Sequence, residues 1–133
     1  MSAHAQDDLP LKRSILVVDD YEPMRSAIYG VLSPRYRVIL AVDGVDGVDK
    51  SKDRPAPDLI IADIFMPRLD GIAMVHRIRE DDRMRQVRVI FMSGQMSVQS
   101  ILAGLAVVPF GYLSKPINPA LFLKKVRSAL GEM

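Results

Sequence analysis

The chain has 133 residues, a length that suits one domain with a single hydrophobic core. Hydrophobic residues make up 49% of it and charged residues 26%, which argues against disorder of the whole chain. It contains no cysteine, so disulfide bonds and thiolate zinc sites are excluded. The net charge of +2 and the aromatic content of 6% do not support direct nucleic-acid binding.

The first ten residues, MSAHAQDDLP, carry acidic residues where a secretory signal would carry basic residues followed by an apolar run. No later apolar run approaches the roughly 18 residues that a membrane span needs. A cytoplasmic protein without membrane association is therefore expected. Residues 1–12 lack periodicity and include Pro10, which predicts a mobile N-terminal tail before a domain at 13–133.

Short apolar runs and helical stripes alternate along the first half of the chain. Residues 14–19 form an aliphatic run typical of a strand buried on both faces. Pro23 suits the first turn of the helix that follows. A second strand is predicted at 36–42, and then a second helix at Gly44–Lys50, which its glycines and valines weaken.

The second half of the chain continues the alternation. The predicted elements are a third strand at 59–62, a helix at 72–78, a fourth strand at 87–92, a helix at 98–105, a fifth strand at 110–114 and a last helix that Pro119 opens. Strict alternation of five strands with five helices predicts an α/β fold, a parallel sheet with helices on both faces. In such sheets ligands bind beyond the carboxyl ends of the strands.

Four of the apolar runs end on reactive polar residues. ILVVDD ends on Asp19 and Asp20, LIIAD on Asp63, VIFMS on Ser93 and YLSK on Lys115. If the runs are neighbouring parallel strands, these residues meet at one edge, where carboxylates select a hard cation such as Mg²⁺ or Mn²⁺. A carboxylate can also attack phosphorus, and a lysine can pair with a phosphoryl oxygen. Each residue alone is more often structural; their joint appearance favours a site.

In order and spacing, these motifs resemble the receiver domain of the response regulators of two-component signalling. The resemblance rests on LVVDD, IIADIFMPRLDG, FMSG and YLSKP and covers about residues 14–130. It implies a flavodoxin-like, three-layer fold with five helices and five parallel strands in the order 2-1-3-4-5, formed by residues 13–133. It also implies a phosphorylatable signalling domain that assists its own phosphorylation and dephosphorylation, and not an enzyme.

The resemblance implies a role for each carboxylate. Asp63 would be the phosphoacceptor and would take the phosphoryl group from a phosphohistidine of a sensor histidine kinase or a histidine phosphotransfer protein. Asp20 would bind Mg²⁺ directly and Asp19 mainly through water, while Asp63 and the backbone carbonyl of Phe65 would supply further ligands. Mn²⁺ would serve in place of Mg²⁺. Phe65 is also expected to hinder water and to lengthen the phosphorylated lifetime.

The same resemblance implies that Ser93 and Lys115 contact the phosphoryl oxygens and that a cis peptide bond joins Lys115 to Pro116. Ser93 and Tyr112 would act as the switch. The face made by the fourth predicted helix, the fifth strand and the fifth helix would bind an unknown downstream protein, and a homodimer would use the same face.

Two alternative functions remain open, and one acidic motif could be mistaken for a calcium site. The first alternative is a Mg²⁺-dependent phosphohydrolase with an aspartyl-phosphate intermediate, similar to haloacid dehalogenases, although DDYEP lacks their Asp-x-Asp pattern. The second is a degenerate receiver that acts as an interaction module without phosphorylation. The acidic motif consists of Asp43, Asp46 and Asp49. Their spacing differs from that of a calcium-binding loop and predicts a solvated helix face.

Overall fold

The computed structural model describes residues 12–94 and 109–132. In these ranges five strands form one sheet, and four α-helices and one 3₁₀ turn connect or follow them. The strands are β1 (Ser14–Val18), β2 (Arg37–Ala41), β3 (Leu59–Asp63), β4 (Arg88–Ser93) and β5 (Gly111–Ser114). The helices are α1 (Glu22–Leu32), α2 (Gly44–Lys50), α3 (Gly71–Ile78) and α4 (Pro119–Ala129), and the 3₁₀ turn is Asp82–Met84.

All neighbouring strands are parallel, and their order in the sheet is β2-β1-β3-β4-β5. This confirms the parallel sheet that the sequence pattern predicts and the flavodoxin-like strand order that the resemblance implies. The order reverses at β1, so the crevice beyond the carboxyl ends of β1 and β3 is the expected binding position of such a sheet. The described ranges hold four α-helices instead of five, because the helix predicted at 98–105 lies outside them. Nearly all of the predicted tail at 1–12 lies outside them as well.

Each face of the sheet has its own hydrophobic core, because successive side chains of a strand point to opposite faces. Every residue of β1 and β3 is buried, as expected for central strands covered on both sides. The core on one face includes Leu16, Ile60 and Phe91 with Met74 and Val75 of α3. The core on the other face includes Ile15, Ile61 and Ile90 with Ile28 of α1 and Phe122 of α4.

Local sequence signals set where the helices begin. Pro23 and Pro119 lie in the first turns of α1 and α4, as predicted. Asp70 caps α3, because its carboxylate accepts a hydrogen bond of 2.7 Å from the Ala73 N–H. The longest described helices have 11 residues, and none of those described combines the length and apolar composition needed to cross a bilayer.

The expectation of a solvated face for Asp43, Asp46 and Asp49 is wrong for Asp43. This residue precedes α2 and is buried, and its carboxylate accepts a hydrogen bond of 2.8 Å from the Asp46 N–H. Asp43 is therefore the N-cap of the helix and lies against the rest of the fold. Asp49 is exposed and Asp46 half-buried.

The second helix forms at its predicted bounds although its composition is poor in helix-forming residues. Gly44, its first residue, lies directly against the loop that follows β3. A Cβ atom at this position would lie 2.3 Å from the carbonyl oxygen of Leu69. Glycine thus costs helix propensity but permits the close approach of two backbone segments.

Substitution Gly44→Ala is expected to lower the free energy of unfolding by about 1–3 kcal/mol, the usual cost of overpacking. The new methyl group would overlap a backbone oxygen, which cannot rotate away. Gly30→Ala in α1 is the matched control, because nothing lies within 4 Å of a Cβ there. Alanine at position 30 should gain about 0.5–1 kcal/mol of helix propensity. Urea denaturation measures both changes, and equal shifts would contradict the packing explanation.

Candidate functional site

Three carboxylates meet at the carboxyl edge of the sheet. Asp19 and Asp20 follow the last residue of β1, and Asp63 is the last residue of the adjacent strand β3. One carboxylate oxygen from each of the three lies within 4.8 Å of the others. Asp19 is fully buried and Asp63 is 8% exposed, whereas Asp20 is open to solvent. The structure therefore brings together the acidic residues that the strand endings single out.

Lys115 supplies the positive charge of this cluster. Its ammonium group donates one hydrogen bond to Asp19 Oδ2 and one to Asp63 Oδ2, each 3.0 Å long. The backbone of Lys115 is fixed to β4, because its N–H donates to the carbonyl of Ser93 at 2.9 Å. The peptide bond between Lys115 and Pro116 is cis. One cation is thus shared by two carboxylates that belong to different strand ends.

Burial and pairing shift the pKa values of two members of the cluster. Burial raises the pKa of Asp63 above its ordinary value, the charge of Asp19 acts in the same direction, and the hydrogen bond from Lys115 opposes them. For Lys115, burial lowers the pKa, but the hydrogen bonds to Asp63 and Asp19 outweigh this effect and leave the pKa raised. Lys115 therefore remains charged at neutral pH and neutralises part of the acidic cluster.

Hydrogen bonds hold Asp19 and Asp63 in fixed orientations. Asp19 Oδ1 accepts from the Tyr21 N–H at 2.9 Å, so both oxygens of Asp19 already have protein donors. Asp63 Oδ1 accepts from the Phe65 N–H at 3.3 Å, a longer and weaker bond. Asp20 is the exposed member of the cluster. The three carboxylates thus differ in how readily they accept a new ligand.

The donor set of the cluster fits a hard divalent cation. Mg²⁺ prefers carboxylate and carbonyl oxygens, uses only one or two protein carboxylates and keeps several waters. Asp20 and Asp63 offer such oxygens within 4.8 Å of each other, and the exposure of Asp20 leaves room for water. Phe65 follows two residues after Asp63 in the same loop, so its backbone carbonyl belongs to the same region of the chain. These residues could hold Mg²⁺ or Mn²⁺.

Ser93 and Tyr112 lie on the two strands beyond β3. Ser93 is the last residue of β4 and is 1% exposed, and the preceding residue Met92 pairs with Asp63 in the sheet register. Tyr112 is half-buried on β5, where it pairs with Phe91 and packs against the core that includes α3. Ser93 is therefore beside the acidic cluster, and Tyr112 is three residues before Lys115 on the neighbouring strand.

One residue of the site region was not predicted from the sequence. Arg68 lies in the loop between β3 and α3, and its guanidinium group is hydrogen-bonded to the carboxylate of Asp43. The two residues are 25 positions apart. No motif or periodicity connects them, and only the approach of α2 to this loop brings them together.

Substitution Asp63→Asn is expected to raise the free energy of unfolding at neutral pH, because it removes a buried carboxylate whose pKa is raised by burial. Because the pKa of Asp63 is raised in the fold, the protonated side chain stabilises the folded state when the pH is below the ordinary pKa of 3.8. This stabilisation is lost as the pH rises through the pKa of Asp63 in the folded state. The advantage of the variant should therefore shrink as the pH falls toward that value.

Urea denaturation between about pH 4 and about pH 8 measures this difference. Asp49→Asn, at an exposed position of α2, controls for the loss of one carboxylate and should change stability by no more than about 0.5 kcal/mol. An Asp63→Asn variant that is less stable than the wild type at neutral pH would contradict the prediction.

Comparisons with known proteins find similar sequences and similar folds. Residues 15–127 match the response regulator receiver domain. The chain is 36% identical over 119 residues to the chemotaxis protein CheY of Treponema pallidum, covering 87% of this chain and 81% of that protein. It superimposes on the chemotaxis protein CheY4 of Vibrio cholerae with a TM-score of 0.81 and 30% identity, covering 90% of this chain and 99% of that one.

Other relatives are much longer than this chain. It is 30% identical over 122 residues to the hybrid signal transduction histidine kinase D of Dictyostelium discoideum, of which it spans 8%. It spans 9% of histidine kinase P4 of Formosa agariphila and 47% of a probable transcriptional regulator, ycf27, of Guillardia theta. Sequences similar to this chain thus form part of longer proteins that are named histidine kinases, which links receiver domains to histidine kinases. The chain belongs to the family of response regulator receiver domains, the signalling domains of two-component systems.

Proposed function

We propose that this receiver accepts a phosphoryl group on Asp63 from the phosphohistidine of a sensor histidine kinase or of a histidine phosphotransfer protein. The observation that carries the proposal is the Lys115 ammonium group, shared by Asp63 and Asp19 within a cluster of three carboxylates. A structural ion pair needs one carboxylate for one lysine. The excess of negative charge at a solvent-facing edge suits a divalent cation instead, and a bound cation can in turn bind phosphoryl oxygens.

In the proposed reaction, an oxygen of the Asp63 carboxylate attacks the phosphorus atom of the phosphohistidine. The new bond joins this oxygen to phosphorus, and the bond between phosphorus and the histidine nitrogen breaks. The imidazole leaves with the electron pair and remains on the partner. Asp63 needs no general base because it attacks as a carboxylate, and Lys115 holds its Oδ2 in a fixed direction.

A divalent cation, Mg²⁺ or Mn²⁺, supplies charge neutralisation for the phosphoryl oxygens when bound. Asp20, Asp63 and the carbonyl of Phe65 would hold it. Asp19 suits an indirect role through water, because both of its oxygens already accept hydrogen bonds, from the Tyr21 N–H and from Lys115. The protein residues thereby divide into direct ligands and a buried carboxylate that orients the lysine.

The signal would leave the site through Ser93 and Tyr112. We propose that the Ser93 hydroxyl moves toward a phosphoryl oxygen and that the Tyr112 ring turns further inward behind it. The output face would consist of β5, α4 and the helix predicted at 98–105, and it would bind an unknown downstream protein or a second copy of the chain. This scheme places the domain in the cytoplasm, without direct contact to nucleic acid or membrane and without turnover of a separate substrate.

Incubation with Mg²⁺ and acetyl phosphate tests the proposed acceptor. Intact mass spectrometry is expected to show the gain of one phosphoryl group by the wild type and none by Asp63→Asn, because the amide is not a nucleophile toward phosphorus. Asp49→Asn is the control for loss of one exposed carboxylate and should be labelled like the wild type.

Three results would contradict the proposal. They are an unlabelled wild type, equal labelling of Asp63→Asn, and repeated turnover of a phosphate ester, which would instead support a phosphohydrolase. Omitting Mg²⁺ and adding a chelator should abolish labelling if the carboxylate cluster holds the cation.

The lifetime of the phosphorylated form is expected to depend on Phe65, which is 44% exposed and whose backbone N–H donates to Asp63 Oδ1. A large apolar ring hinders the approach of water, so Phe65→Asn should accelerate dephosphorylation several-fold. The rate can be followed by intact mass after removal of acetyl phosphate. Phe110→Asn, which removes a 39% exposed ring at the opposite end of β5, is the control and should leave the rate unchanged. An equal or slower rate in Phe65→Asn would exclude this role.

A further inference from the structure

The geometry points to a positioning residue outside the acidic cluster. We infer that Arg68, through its ion pair with Asp43, holds the loop after β3 in the conformation that the cation site requires. The inference rests on the proposed function, which uses the carbonyl of Phe65 in this loop as a cation ligand. Arg68 itself does not contact the cation in this scheme; it acts through the backbone of the loop.

The backbone of Arg68 adopts a conformation that arginine disfavours. Its φ angle is 68°, and within residues 12–94 and 109–132 it is the one non-glycine residue with a positive φ. Glycine and asparagine enter this left-handed region more readily, because a Cβ and a bulky side chain are costly there. Backbone preference therefore does not explain arginine at this position. A backbone hydrogen bond of 2.8 Å from the Leu69 N–H to the Pro67 carbonyl closes the turn around it, and the arginine side chain adds an interaction with Asp43.

The interaction with Asp43 joins the loop to the start of α2. The Arg68 guanidinium group donates to Asp43 Oδ2, while Asp43 Oδ1 accepts from the Asp46 N–H at 2.8 Å. The hydrogen bond from Asp46 and then that from Arg68 lower the pKa of Asp43, so this carboxylate is charged at neutral pH. Asp43 is buried and fixed as the N-cap of α2, which makes it a rigid anchor for the loop.

Backbone contacts hold the same loop on either side of Arg68. A Cβ atom at Gly71 would lie 2.2 Å from the carbonyl oxygen of Asp63, and the Gly71 N–H donates to the Ile64 carbonyl at 2.8 Å. Leu69, next to Arg68, lies against Gly44 of α2, as described above. The segment between these contacts includes Phe65. The Arg68 side chain connects this segment to the N-cap of α2 through Asp43. Loss of this ion pair should therefore make the backbone around the Phe65 carbonyl more mobile.

The variant Arg68→Asn separates this role from a simple effect of charge. Asparagine tolerates a positive φ, so the fold should be kept while the ion pair is lost. Removal of a positive charge near an acidic cluster should strengthen Mg²⁺ binding if electrostatics alone acts. Loss of positioning should instead weaken Mg²⁺ binding by about tenfold, the lower end of the usual effect of an outer-shell contact. The two explanations thus differ in sign.

Mg²⁺ titration of the full chain, followed by amide chemical shifts in NMR spectra, measures the affinity without any phosphorylation. Arg83→Asn is the matched control: it removes the same charge and another arginine–aspartate pair, that with Asp81, outside this loop. It should leave the Mg²⁺ affinity unchanged. Circular dichroism on each variant checks that the fold is kept.

Substitution of the partner provides an independent test. Asp43→Asn keeps a residue that caps helices well and removes the charge that Arg68 binds. It should weaken Mg²⁺ binding as Arg68→Asn does, and the double variant should bind no more weakly than either single variant, since both remove one interaction. Arg68→Lys keeps a donor and should restore part of the affinity.

The outcomes distinguish this inference from the proposed function. If the wild type binds Mg²⁺ and is labelled on Asp63 but Arg68→Asn binds Mg²⁺ equally or more tightly, the positioning role is wrong and the receiver function stands. Additive losses in the double variant would also overturn it. If the wild type neither binds Mg²⁺ nor is labelled, the proposed function fails, and the positioning role fails with it.

Discussion

The carboxyl edge of this sheet depends on one charge balance, the sharing of the Lys115 ammonium group by Asp19 and Asp63. Both carboxylates are buried, so each has lost hydration and each repels the other. Two hydrogen bonds of 3.0 Å from a single lysine compensate for part of this cost. Asp20 adds a third negative charge, and the cluster therefore retains a net charge of about −2 when its members are ionised, which a divalent cation would balance.

The order of the strands makes this sharing of one lysine feasible. Lys115 follows β5, and β4 lies between β5 and β3 in the sheet. The lysine must therefore reach across the end of β4, where the residue is the small and buried Ser93. The Lys115 N–H donates a hydrogen bond to the Ser93 carbonyl, and this bond fixes the backbone position from which the lysine side chain extends. A long, flexible stem with a compact charge is what this distance requires, and lysine provides both.

The parts of the site that sequence could predict are those that strand ends determine. Asp63 and Lys115 are 52 positions apart, yet their contact was predictable because both end apolar runs of one parallel sheet. The ion pair of Arg68 with Asp43 was not, because it depends on how closely α2 approaches a loop. The sequence pattern places Asp43 on a solvated face for the same reason, because spacing along a helix indicates which residues share a face but not what covers that face. The 3₁₀ turn Asp82–Met84 carries no periodicity and also escaped prediction.

Differences in packing determine which strands can move when the charge at Asp63 changes. Residues of β1 and β3 are buried throughout, so movement there would disturb a close-packed core. β5 is an edge strand with half-exposed side chains, and it ends at the lysine that Asp63 holds. At the other end of β5, the centre of the Phe110 ring lies 4.9 Å from the guanidinium carbon of Arg88. An N–H of the same guanidinium group donates a hydrogen bond to the Ala129 carbonyl of α4. A phosphoryl group that drew Lys115 toward new oxygens would therefore shift β5 at lower cost than the central strands, and the shift would reach α4 through these contacts.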